Sequence, residues 1–342
     1  SKIDQGIGDI NKSGDAFRFR LVASPRKGRW HDVGIFFFDE DTDINDMGYQ
    51  ITNNWLFAGN QNGLKFSDFD ESSIFLSQEY EVGLAYEANA DLNKSSHSTY
   101  LTFKSTFKNT SFIEFTNFYR PSSKDFWVTR GNVDSPYIKK PENYGTMFQF
   151  KGPSKDFFNY FIEVKREKGS QWSFSALGIA NSLTAKVDFS PKDNLNFSLM
   201  HQHVTENNWL NWIQDNLLGI YKNKKQRTTV ASLNWFGGDK HELRMKAQMV
   251  AFTARKPSAY LGDISGSLNP LEMKLPPFSL SDLAFQVRYR YEIMPLAYLY
   301  VVYTKGGRVI ETDEEDSLNE LYKRPWKDPQ ADSFTVKVRY RF

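Results

Sequence analysis

The chain has 342 residues, with 43 Lys and Arg against 41 Asp and Glu for a formal charge of +2, so nothing draws it globally toward nucleic acid and no nucleic-acid partner is expected. No run approaches the roughly 20 apolar residues of a membrane helix, which excludes a helical membrane protein, and the lack of cysteine excludes disulfides and thiolate metal sites. Aromatic residues make up 16% of the chain (29 Phe, 17 Tyr, 8 Trp), more than a water-soluble core of this size needs and a supply that aromatic girdles at two membrane interfaces would use.

The chain opens Ser1-Lys2-Ile3-Asp4 with neither a charged n-region nor an apolar h-region, so an export signal is expected to have been removed or to lie upstream. Period-two alternation predicts strands at 16–23, 33–38, 48–57, 79–88, 99–107, 112–119, 146–150 and 157–165. The second half adds 183–189, 195–204, 228–235, 243–252, 283–293, 297–303 and 334–342. Between them, turns rich in Gly, Pro, Asn and Asp at 24–29, 107–110, 152–155, 190–194, 236–239 and 294–295 alternate with long polar connections at 120–144, 205–226, 253–280 and 306–331. The stretch 59–78 reads as a long connection where this alternation requires a short turn, so a further strand near 66–75 or an extension is expected there.

The last strand sets the fold class. Phe334, Val336, Val338, Tyr340 and Phe342 fall on one face, while Ser333, Thr335, Lys337, Arg339 and Arg341 fall on the other. One reading is an edge strand of a soluble sandwich; the other is the terminal strand of an outer-membrane barrel, with the apolar face in lipid and the cations in water. Short turns at one end and long loops at the other favour the second. The chain, 1–342, is therefore expected to be one all-β, antiparallel, up-and-down transmembrane β-barrel domain of about 14–16 strands, located in the bacterial outer membrane. The terminal Phe with its alternating apolar partners looks like the signal read by the barrel-assembly machinery. Outer-membrane lipid and lipopolysaccharide are expected neighbours.

Two segments carry a family resemblance: Asp43-Ile44-Asn45-Asp46-Met47-Gly48-Tyr49, and the run from Val287 to Gly307, which begins Val-Arg-Tyr-Arg-Tyr-Glu-Ile-Met-Pro-Leu-Ala. They resemble the bacterial outer-membrane family that joins an N-terminal carbohydrate-binding family 9-like domain to a large C-terminal barrel, and the similarity to the second half of that barrel runs across most of the chain. The resemblance implies a barrel fold, a link to carbohydrate, and a chain that forms the C-terminal portion of a longer barrel or one part of a split one. It supplies no catalytic residues.

On the inward face of the last strands, Arg244, Lys246, Arg288, Arg290, Lys337, Arg339 and Arg341 outnumber Glu242 and Glu292. A low-dielectric wall of one sign favours anions; alternatively, Glu81, Glu87, Glu114, Glu163 and Asp188 from opposite strands, or carboxylates of an inserted segment, pair with it and stabilise a filled lumen. Phe126, Trp127, Trp209 and Trp212 lie in long connections and offer either sugar-stacking platforms or interface anchors. Asp39, Asp41, Asp43 and Asp46 offer alternating oxygens for a calcium ion, or form a solvated acidic turn, and the same two readings apply to 311–316. His201 and His203 share the outward face with Leu195, Phe197 and Leu199, which makes interfacial histidines a simpler reading than a metal pair. No Ser-His-Asp order, phosphate loop or carboxylate pair stands out, so no cofactor and no enzyme activity are expected. Function is expected to be passage or capture of a solute or polymer, with an anchor or scaffold whose lumen is plugged by another segment or polypeptide as the alternative. An outer-membrane hydrolase is a third reading.

Overall fold

The structure, a computed structural model, describes residues 2–3, 10–11, 14–42, 54–90, 92, 94–126, 128–129, 133–155, 157–169, 177–312 and 317–340. Two short strands, β1 (Lys2–Ile3) and β2 (Ile10–Asn11), pair with each other. The main sheet starts with β3 (Ala16–Ala23), β4 (Gly28–Phe38), β5 (Trp55–Phe66), β6 (Phe75–Ala88), β7 (Lys94–Phe107) and β8 (Phe112–Arg120). A small hairpin of β9 (Ser123–Asp125) and β10 (Ile138–Lys140) intervenes, and the sheet resumes with β11 (Asn143–Lys151), β12 (Phe158–Lys168), β13 (Ile179–Lys192) and β14 (Leu195–Glu206). Then follow β15 (Trp209–Gln214), β16 (Leu217–Gly237), β17 (His241–Gly262), β18 (Leu268–Leu271), β19 (Phe278–Met294) and β20 (Ala297–Glu311). The helix α1 (Leu318–Lys327) and β21 (Ala331–Arg339) end the order.

The fold is thus one antiparallel sheet in which each strand pairs with its neighbours in the chain. Short turns make this meander possible: Gly28 and Gly238 take φ of +90° and +63° where the chain reverses, a conformation that costs glycine little. Of the connection expected at 59–78, β5 takes the part up to Phe66 and β6 begins at Phe75; the further strand expected near 66–75 does not form, and 67–74 is the connection between the two. Two of the four expected long loops are mostly strand as well, and a third holds a helix. β14, β15 and β16 make 205–226 a long hairpin, β17 and β18 extend through 253–271, and α1 occupies 318–327. Polar composition misled the sequence reading there, because backbone pairing to a neighbouring strand stabilises extended structure whatever the side chains. The expected strand at 48–57 lies largely outside the described residues.

Burial along the strands is inverted relative to a soluble protein. On β12, Ile162 and Val164 are 38% and 46% exposed whereas Glu163 between them is 9% exposed; on β13, Leu183 is 50% exposed and Thr184 8%. The registers carry this face across the sheet, from Leu21 and Phe19 through Val82, Leu101, Phe115 and Phe148 to Leu199, Val301 and Val336. The apolar face is the exposed one and the polar face is the sheltered one.

Counting β14 with β15, and β18 with β19, as single interrupted strands, since each pair lies against one partner, the sheet has fifteen strands. Fifteen is odd, so in an antiparallel order β3 and β21 run in the same direction. The order brings β21 round next to β3. Every other neighbouring pair is matched residue by residue, but among the described residues no register joins these two, and all residues of both are exposed. The sheet is not closed into a barrel.

The helix α1 packs on the apolar face. Ser317 and Glu320 form a reciprocal capping box at its start. Leu321 is 1% exposed, the Trp326 ring lies 5.3 Å from Phe285, its indole donates to Met249 Sδ at 3.3 Å, and Tyr322 bonds Thr229.

Candidate functional site

The basic wall forms as the alternation demands. Arg244 pairs with Arg288 across β17 and β19, Glu242 with Arg290, and Lys246 with Gln286, all on the polar face. Three guanidiniums converge on one carboxylate: Glu242, 3% exposed, contacts Arg244, Arg290 at 2.8 Å and Arg288 at 3.6 Å. One carboxylate balances one of three cations, so the cluster keeps a positive charge, and Arg290 also sits over an aromatic ring, 5.3 Å from the Tyr298 centroid. Lys246, Lys337 and Arg339 continue this face and form no ion pair among the described residues. Lys246 borders a cavity of about 710 Å³ with Ser232, Gln248, Gln286 and Thr304. Arg341 lies outside the described residues.

The acids expected to neutralise this wall from opposite strands do not reach it. Glu87 pairs with Arg120 at 3.1 Å, Glu114 with Lys104 at 3.1 Å, Glu163 with Lys165 at 2.8 Å and Asp188 with Lys186 at 2.9 Å, while Glu81 accepts from the Tyr100 hydroxyl at 2.6 Å. Each is engaged within two strands of its own, because near neighbours in the sheet are closer than residues across its width. Charge is therefore segregated: these acids of β6 to β13 are engaged locally, and β17, β19 and β21 carry more cations on this face than Glu242 balances.

The opposite end of the strands is built differently. Above Asn208 and Lys256, whose φ values of +55° and +52° break the regular pleat, β15, β16, β17 and β18 project as an extended hairpin set. The connection 121–142 leans on it: Ile138, Leu210 and Leu218 form a buried cluster, and the Lys139 amide donates to the Gly266 carbonyl at 2.8 Å. Inside that connection Lys140 and Asp125 form a buried ion pair, and Phe126 packs on Tyr137 at 5.4 Å. Phe126 is thus a packing residue of the connection, and Trp127 lies outside the described residues. Trp209 and Trp212 are on strand β15, not in a loop. Trp209 packs on Tyr221, Phe252 and Phe278 and over Lys224, and Trp212 donates to the Asp215 carbonyl at 2.9 Å.

Asp39 accepts from the Asp15 amide at 2.6 Å, the Asp41 amide at 3.1 Å and the Thr42 hydroxyl at 2.7 Å, so its oxygens organise the end of β4. Those donors, the Asp15 amide first, hold its carboxyl below the usual range. Asp43 and Asp46 lie outside the described residues, as does Phe342. His201 bonds the Thr229 hydroxyl at 2.8 Å. Of the terminal-strand residues, Phe334, Val336, Val338 and Tyr340 are between 51% and 68% exposed. Sequence reasoning missed Asp263, which accepts from Ser265, Ser267 and Asn269 within 3.0 Å; the spacing Asp-x-Ser-x-Ser carries the local signal of such a turn.

A family model described as "Domain of unknown function (DUF5916)" matches residues 3–342. The chain belongs to the DUF5916 family. The match covers the whole described sheet of this DUF5916 chain, and no carbohydrate-binding family 9 domain is found in it. No curated protein matches the chain.

Proposed function

We propose that this DUF5916 chain is an outer-membrane β-barrel protein whose apolar face lies in lipid and whose polar face lines an aqueous interior. The observation that carries the reading is the inverted burial: Val82, Leu84, Leu101, Leu183 and Val336 are 40–59% exposed, while Glu163, Thr184 and Glu242 are sheltered. In water such a continuous exposed apolar surface drives association, whereas in lipid it costs nothing, and a polar face turned inward stays hydrated. The uncompensated cations around Glu242 then favour an anionic solute, with acidic sugar polymers the class suggested by the carbohydrate link of the resemblance. The parallel edges β3 and β21 call for an odd number of further strands to seal the barrel with antiparallel pairing, supplied by another stretch of polypeptide.

The test is reconstitution in planar bilayers. Conductance that favours chloride over potassium, with the preference reduced in Arg288→Gln/Arg290→Gln, supports passage of anions. Correct membrane insertion without current favours the scaffold reading, for which the contact of 121–142 with the β15–β16 hairpin is the supporting feature.

A further inference from the structure

Moving up the apolar face of β14, β16 and β17 from the short turns, the side chains change character together. Trp235, Leu233 and Ala231 of β16 give way to Thr229, Arg227 and Lys225. The register places Leu199 beside Ala231, then His203 beside Arg227, Thr205 beside Lys225 and Arg255 beside Asn223. The cations therefore sit on the same face as the exposed apolar residues, just beyond their upper edge, and are separate from the basic wall of the polar face. They are bordered by the first residues of α1. Together Lys225, Arg227, His203, Ser317 and Asn319 line a cavity of about 410 Å³. Arg227 donates to the Asn319 side chain at 2.6 Å, which ties the strand cations to the start of the helix. At that helix start the Ser317 hydroxyl takes up the Glu320 amide and the Glu320 carboxylate takes up the Ser317 amide, so the cavity draws its positive charge from the strand residues Lys225 and Arg227. On the helix, Lys323 and Lys327 are exposed, and Trp326, at the foot of the docked face, is 39% exposed.

This is the layout of a membrane interface: an apolar band, a tryptophan at its edge, and clustered cations above. We propose that the cavity binds the phosphate of an acidic outer-leaflet glycolipid whose acyl chains lie along the apolar face below. Charge complementarity selects the headgroup, and continuity with the apolar band accommodates the chains. The inference rests on the reading that this face meets lipid. Arg227 acts as the main ligand because its planar guanidinium holds the cavity wall and offers further donors to phosphate oxygens.

The full chain, purified in a neutral detergent and incubated with lipid A or phosphatidylcholine, tests this by native mass spectrometry. Lipid A is expected to be retained in preference to phosphatidylcholine. Lys225→Gln/Arg227→Gln is expected to weaken lipid A retention about tenfold through loss of two charge-assisted contacts. Lys246→Gln, on the polar face, leaves it unchanged, and Arg227→Lys keeps most of it, which separates lost charge from lost folding. Equal lipid A retention by the double variant overturns the headgroup site, and if both lipids still bind, the membrane reading stands. Displacement of lipid A by inorganic phosphate at equal concentration assigns the cavity to a free anion and overturns the lipid proposal. Failure to retain either lipid overturns both.

Discussion

The Ser281 hydroxyl donates to the Leu321 carbonyl at 2.5 Å, and this is the carbonyl that Pro325, four residues on and lacking an amide hydrogen, leaves without a helical partner. Both groups are buried, Ser281 at 0% and Leu321 at 1% exposure. The proline that weakens α1 from within thus creates the acceptor by which β19 holds it. Ser281→Ala is expected to cost about 1–3 kcal/mol by leaving that carbonyl unsatisfied. Adding Pro325→Ala, which restores a helical donor, is expected to recover most of the loss. Chemical unfolding of the two variants in detergent measures both.

Lys224 and Glu206 form an ion pair at 2.6 Å between β16 and β14, at 7% and 3% exposure, with the ammonium over the Trp209 ring at 5.1 Å. Lys224→Met is expected to destabilise the protein by about 3–5 kcal/mol, since a carboxylate is left buried and unpaired. The double variant Lys224→Met/Glu206→Leu is expected to be close to the parent in stability. Loss of heat-modified gel mobility against temperature follows the series, and additive losses would count against the pairing.

Val336 and Thr335 are adjacent on β21 and point to opposite faces. If the apolar face lies in lipid, Val336→Arg costs about 2–4 kcal/mol near the bilayer midplane, whereas Thr335→Arg on the polar face is tolerated. Folding yields into lipid vesicles compare the two directly. Equal yields would remove the assignment of faces.

Asp263, in the turn between β17 and β18, has its carboxyl held far below the ordinary range, chiefly by the Ser265 hydroxyl and then by Asn269 and the Ser267 amide. A depressed folded value means that the turn is stabilised above the unfolded carboxylate range and loses that support as pH falls through the folded value. At neutral pH, Asp263→Asn is expected to loosen the β17–β18 turn and raise amide exchange at Ser265 and Ser267. As the medium is acidified, the difference between variant and parent is expected to shrink.

Period-two alternation was sufficient to read the regular strands, most of the short turns and the two faces, because side-chain direction in a strand depends only on parity; Phe334, Val336 and Val338 needed no partner to be placed. The basic wall was equally readable, since Arg244, Arg288, Arg290 and Glu242 share one parity. Tertiary structure decided what parity leaves open. It turned the apolar face outward, engaged Glu87, Glu114, Glu163 and Asp188 with near neighbours so that the wall stayed positive, converted apparent loops into the β14–β18 hairpins, and laid α1 on the apolar face beside Arg227. These outcomes depend on which segments meet in space, and no local pattern encodes the distance between residues as far apart as Ser281 and Leu321.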